Sequence, residues 1–279
     1  MESEFVEVEG VGGIESNEVS AEQSTDVLRT ENNVSAGDDP KVGVVHEFKD
    51  NTFRTRFLQV LLAFGLILWG VAIYAGVVEY KLIQDVKNEN FESREQMETA
   101  ANRSDQFVGI VAIVQSVVGI LTIIFFMMWI YRSNKNTSAL TGEMMEFSPG
   151  WSVGWFFVPI YFLWKPFKAM KEIWGICSEY SGLSGAWVVG LWWSFHLLSH
   201  TAGKASFKLG MRAEELSELS MASLVSTLSN FVDIILKIVT LILVSKIFLM
   251  QKMIREQDTL EVNLNAVKEQ KPRVDWRGL

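Results

Sequence analysis

FLQVLLAFGLILWGVAIYAGVV, residues 57–78, runs for 22 residues without a charge, fenced by Arg54 and Arg56 before it and by Glu79 and Lys81 after it. A helix needs about 20 apolar residues to cross the ~30 Å hydrocarbon layer of a bilayer. Residues 107–131 form a second such run, uncharged over 25 residues between Asp105 and Arg132. These two runs set the class: an all-α, polytopic membrane protein.

Two further spans follow less directly. Residues 223–250 are apolar but hold Asp233, Lys237 and Lys246. A charge at mid-bilayer costs several kcal/mol, so such a pattern needs a reason. Asp233 and Lys237 are four apart, stack on one helix face and are expected to pair, while Lys246 lies near the end and can snorkel to the surface. Residues 186–202 read as a short span carrying His196 and His200. The fold class expected is thus four transmembrane helices, near 57–78, 107–131, 186–202 and 223–250. A Trp- and Pro-rich interfacial or re-entrant element over 148–178 joins them, because the apolar run 151–164 is only 14 residues long and is interrupted by Pro159. The polar stretch 79–106 is expected to be a short solvated helical loop.

Charge is segregated along the chain. Residues 1–50 hold thirteen Asp/Glu against Arg29, Lys41 and Lys49. A tail so acidic and poor in aromatics cannot bury enough apolar surface to offset its ordering entropy, so it is expected to be disordered and cytoplasmic, and to suit a basic protein partner. No basic n-region precedes an early apolar core, so the first span is expected to act as an uncleaved signal-anchor. With residues 253–279 as a second cytoplasmic tail, 16 Lys/Arg fall on the side of both termini and of the 132–185 segment, against seven on the other. The positive-inside rule then puts both termini in the cytoplasm, in a cell inner (plasma) membrane; the alternative of five spans, with 151–164 crossing fully, would put the C-terminal tail outside and blunt that asymmetry.

Seven of the ten tryptophans lie between 151 and 193, a density that suits headgroup level. Ile160, Leu163, Phe167, Met170, Trp174 and Cys177 are spaced as one helical stripe, with Lys165, Lys168 and Glu172 opposite. Pro166 fits the first turn of that helix. This predicts a helix lying in the interface, with Lys165, Lys168 and Lys171 near anionic lipid headgroups. Ser148 can cap a helix whose first residue is Pro149, and Gly150 and Gly154 leave room for another backbone. Pro159 removes an amide and breaks the helix.

The run from Phe147 through Ser148, Pro149, Gly150, Trp151, Gly154, Trp155 and Pro159, continuing through Trp164, Pro166 and Trp174, resembles the signature of the bacterial membrane family called domain of unknown function 4328. The Trp192–Trp193 pair fits it too. The resemblance spans roughly 57–250, its specific part 147–193. It implies a multi-span bacterial inner-membrane protein and carries over no activity.

Candidate chemistry is sparse. His196 and His200 share a helix face and could ligate a metal or a haem, but the only other histidine is His46. Asp233 and Lys237, with Asn230 in the same polar seam as Ser226, Ser229 and Thr240, make a candidate intramembrane polar site. Lys204, Lys208 and Arg212 followed by Glu214, Glu215 and Glu218 read as a charged connector. Cys177 is the only cysteine, so no intrachain disulfide forms. There is no P-loop, dinucleotide fingerprint, nucleophile elbow or zincin motif, and no basic nucleic-acid-binding stretch. No cofactor and no catalytic residue is expected. The amphipathic basic-aromatic element and the long acidic tail, with no catalytic constellation, favour a non-catalytic scaffold or regulator of membrane partners; the alternative is a small transporter or channel-like protein using Asp233 and Lys237, and a weaker one is a haem or metal redox protein through His196 and His200.

Overall fold

The charges that end the first apolar run do not end its helix. In a computed structural model describing residues 46–270, helix α1 runs Thr52–Lys87 and α2 runs Arg94–Thr141, leaving only 88–93 as a turn. The loop expected over 79–106 is therefore almost entirely helical: it holds no Pro or Gly to stop propagation, and exposed i,i+4 pairs such as Arg94–Glu98 (3.5 Å) support its helix. Most of the acidic tail and the end of the C-terminal tail lie outside the described residues.

Local rules fix the helix ends. The Asp50 carboxylate accepts from the Thr52 amide (3.0 Å) and hydroxyl (2.6 Å) at the start of α1, and these bonds hold its pKa below the usual value. Ser93 caps α2 by accepting from the Gln96 amide at 3.2 Å. Gly142 ends α2 at φ 72°, and Gly182 ends the later helix α4 at φ 71°, the left-handed cap that glycine takes without strain. Helix α3 (Pro149–Gly154) starts as expected, with the Ser148 hydroxyl accepting from the Trp151 amide and Pro149 at the first turn. Two 3₁₀ turns follow, Trp155–Phe157 and Tyr161–Leu163, then α4 (Lys165–Ser181) with Pro166 in its first turn. No helical piece between 149 and 164 exceeds six residues, so this element cannot cross a bilayer as a helix. Helices α5 (Trp187–Gly210) and α6 (Leu216–Gln270) complete the described chain, with no strand among its residues.

The four long helices alternate in direction. Helix α6 packs along both α1 and α5, and α1 packs along α2. One end of this bundle, the near end, carries 46–51, α3 and α4; the far end carries the 88–93 and 211–215 turns. The near end holds the core, in which Trp129, Ile173, Trp174, Cys177, Trp192, Leu243 and Ile247 are almost wholly buried.

Two expectations fail here. The stripe on α4 faces α2, α5 and α6 rather than a bilayer: Met170, Trp174 and Cys177 are buried with Ile173, while Ile160 and Leu163 precede the helix and are exposed. Ile160 adopts φ 68°, which breaks the helical register before Lys165. Of the clustered tryptophans, Trp151, Trp164 and Trp187 are exposed, but Trp174, Trp192 and Trp193 are core residues.

The outer faces are another matter. Helices α1 and α2 are long and apolar enough to cross a membrane, yet only 28% and 17% of their most apolar 18-residue windows is buried. Ile67 and Ile113 are 69% and 67% exposed. A core helix of a soluble protein buries such residues, and contiguous apolar surface on this scale marks contact with lipid or partner. The fold has the character of a membrane protein.

Candidate polar site between the helices

Trp69 is out of place on composition alone. Tryptophan favours headgroup level, and its N–H wants an acceptor when removed from water. Trp69 lies well inside α1, and its indole N–H donates to Asp233 Oδ2 on α6 at 3.1 Å. The hydroxyl of Ser199 on α5 donates to the other carboxylate oxygen, Oδ1. Three helices thus meet on one carboxylate.

Lys237 is held by the same indole. Its Nζ lies 3.4 Å from the Trp69 ring centroid, a cation–π contact in a water-poor setting. Gly65 makes the room: a Cβ there would come within 3.0 Å of the Lys237 side chain. The expected Asp233–Lys237 ion pair does not form. Among the described residues the ion pairs are Arg94–Glu98 and Lys252–Glu256, both exposed. Helical spacing puts Asp233 and Lys237 on one face, but the indole N–H and Ser199 turn the carboxylate aside while the ring face draws the ammonium.

These groups line a cavity of about 290 Å³ among α1, α2, α5 and α6. That is near the ~300 Å³ lower bound for small-molecule sites. Thr122 and Thr240 add hydroxyls, and His196, His200, Trp192 and Phe156 form the α5 side. His196 stacks on Trp192 and Trp193 (5.9 and 5.0 Å between centroids) and meets Phe156 edge-on, while His200 meets Phe162 edge-on. The Pro159 break thereby sets two phenylalanines, one from each side of it, against the two histidines. Trp193 ties this element down by donating to the Leu163 carbonyl at 3.0 Å, and Trp151, Trp155, Tyr161 and Trp164 continue as a chain of touching rings.

Not every candidate converges here. Asn230 accepts from Gln115 Nε2 at 3.4 Å, turned toward α2 and away from the cavity lining. Lys246 is exposed. Among the described residues no three His, Cys, Asp or Glu side chains gather as metal ligands. Gly150 meets nothing within 4 Å, and Gly154 would meet only the Trp151 ring, so neither admits another backbone as expected.

A second buried polar cluster went unread. Asn134 donates to the Phe147 carbonyl (3.0 Å) and Ser152 hydroxyl (2.9 Å), and Gln251 donates to the Ser133 carbonyl (2.9 Å) and Thr137 hydroxyl (3.0 Å). It ties the end of α2 to α3 and α6. The one hint was the absence of any Gly or Pro from 132 to Gly142, which lets α2 continue.

No curated protein and no solved structure matches the chain. A family model does, over residues 92–248, which takes in α2 through most of α6 and leaves Trp69 and the rest of α1 outside. The match covers more than half of the sequence and includes the α2, α5 and α6 walls of the cavity: the chain belongs to the family described as Domain of unknown function (DUF4328).

Proposed function

We propose that this is a four-span membrane protein that binds, and passes across the bilayer, a proton or a small charged solute at the Asp233–Lys237 cavity. One observation carries the reading: opposite charges share a cavity without touching each other, each engaged by Trp69 instead. Intramembrane ionisable groups facing a cavity mark ion and proton pathways, because their cost in a bilayer demands a return. Helices α1, α2, α5 and α6 would be the spans, at about 57–78, 107–131, 186–202 and 223–250. The Lys/Arg excess favours both tails in the cytoplasm and an inner-membrane location. Lys168 and Lys171 are exposed on α4, which suits them, with Lys165, to anionic headgroups. A scaffolding or regulatory role rests on the acidic tail, whereas the transport reading has the cavity to support it.

Flux decides between them. Full-length protein in proteoliposomes should dissipate an imposed proton or monovalent-ion gradient faster than empty vesicles, and Asp233→Asn should abolish this while still inserting. Wild-type vesicles indistinguishable from empty ones for protons, sodium, potassium and chloride would sink the transport reading. Single cysteines test the topology: Ser93 and Ser217 should label from outside intact cells, and Ser138 and Asn263 should not.

A further inference from the structure

Arg132 closes the uncharged run of α2 but is itself only 8% exposed. Its guanidinium donates to the carbonyls of Glu47 (3.2 Å) and Lys49 (3.4 Å), which fix its orientation without neutralising it. Burial first, and then the charge of Arg54, push its pKa below the ordinary value, with the exposed Glu47 carboxylate opposing them only in part. Two arginines that repel each other in a half-dry setting are a standing demand for an anion.

These two arginines, with Lys49, rim an open groove of about 580 Å³ whose floor is Met127, Met128 and Tyr131. Below it, α2 continues as the exposed apolar face of Ile120, Ile123 and Ile124. The α3 wall contributes Gly150, beside which a side chain would meet nothing within 4 Å. A cationic rim above an apolar floor that opens onto a lipid-like face matches one occupant.

We propose that this groove holds a single anionic phospholipid, its phosphate on Arg54, Arg132 and Lys49 and the upper part of one acyl chain over Met127, Met128 and Tyr131. The site shares Met127 with the wall of the Asp233 cavity, but its cations and Gly150 lie outside that lining, so it stands or falls without it.

The test is native mass spectrometry of the full chain in detergent, with phosphatidylglycerol or phosphatidylcholine of equal chain length, or with inorganic phosphate. Wild type should retain one phosphatidylglycerol and release phosphatidylcholine. Arg54→Gln should weaken retention about tenfold, the worth of one charge-assisted hydrogen bond. Gly150→Leu, whose side chain enters open space, should do the same by blocking the groove at unchanged melting temperature. Lys49→Gln, at an exposed position, should weaken it a few-fold. Equal retention of both lipids overturns the proposal, as does phosphatidylglycerol binding unaffected by all three substitutions. So does inorganic phosphate binding as tightly as the lipid and indifferent to Gly150→Leu, which would make the site one for free phosphate.

Discussion

The near and far ends of the bundle are held together by different physics. At the near end, large side chains from five helices interdigitate, with Trp129, Trp174 and Trp192 essentially without exposed surface. At the far end, α1 and α6 meet through small and polar residues: Ser223 donates to the Gly76 carbonyl (3.3 Å) and to Glu79 (2.8 Å), and Gln84 to Ser220 (3.0 Å). The first is how a water-soluble core is built. The second is how helices associate in lipid, where apolar burial gains little over lipid tails and close approach plus hydrogen bonds must supply the affinity. The difference teaches that this chain joins helices packed in the manner of a membrane bundle to a conventional core, with the polar cavity at the junction.

The largest expected effect is at the core. Trp129→Ala should cost about 3–5 kcal/mol of stability in detergent, whereas Ile113→Ala on the outer face should stay within about 0.5 kcal/mol. Equal losses would erase the contrast. At the far end, a Cβ on Gly76 would collide with Thr227 Oγ1, so Gly76→Ala should cost about 1–3 kcal/mol. Thr227→Ala should restore most of it, and Gly70→Ala, facing open space, should cost nothing. Rescue that fails would mean the helices do not touch there.

The cavity sharpens the comparison differently. Asp233→Asn keeps an acceptor for the Trp69 N–H, so its thermal penalty should be only about 0.5–1.5 kcal/mol while flux is lost. A penalty like that of Trp129→Ala would make Asp233 a packing residue. Cys177 reads the near end directly: burial pushes its thiol up to about 11, against opposing bonds from Thr137 and Gln251. Maleimide at neutral pH should leave it unlabelled until the protein unfolds, and fast labelling would show the core to be open. The smallest effect concerns Glu172, which burial raises above the ordinary carboxyl value although the Glu146 and Phe147 amides oppose this. Its protonated form suits the fold, a contribution complete below the unfolded value and lost as pH climbs through the raised one. Glu172→Gln should therefore flatten the pH dependence of melting on the acid side of neutral.

The long apolar helices α1 and α2 were legible because charge-free length is a one-dimensional signal. Ser148, Pro149 and Pro166 were legible for a similar reason, since caps are local. The α4 stripe was legible as a stripe, but a period of 3.6 says which residues share a face and nothing about what covers it. Its partner proved to be protein. Asp233 and Lys237 were visible as anomalies; what they touch was not, since Trp69 and Ser199 lie 164 and 34 residues from Asp233. Buried Asn134 and Thr137 sit in a polar run, and what buries them, Ser152 and Gln251 among others, lies 18 and 114 residues away.

Helix α6 continues past its last buried residue, Ile254, and everything from Arg255 to Val267 is solvent-facing. At 1.5 Å per residue, Arg255–Gln270 projects as a mast of roughly 24 Å, and Gln270 stands roughly 55 Å from Asp233 along one unbroken rod. Any rocking of that rod pivoted at the cavity is therefore magnified at its tip: a ten-degree tilt would swing Gln270 by roughly 10 Å. A spin-label pair spanning α2 and the mast would read any such tilt as a distance.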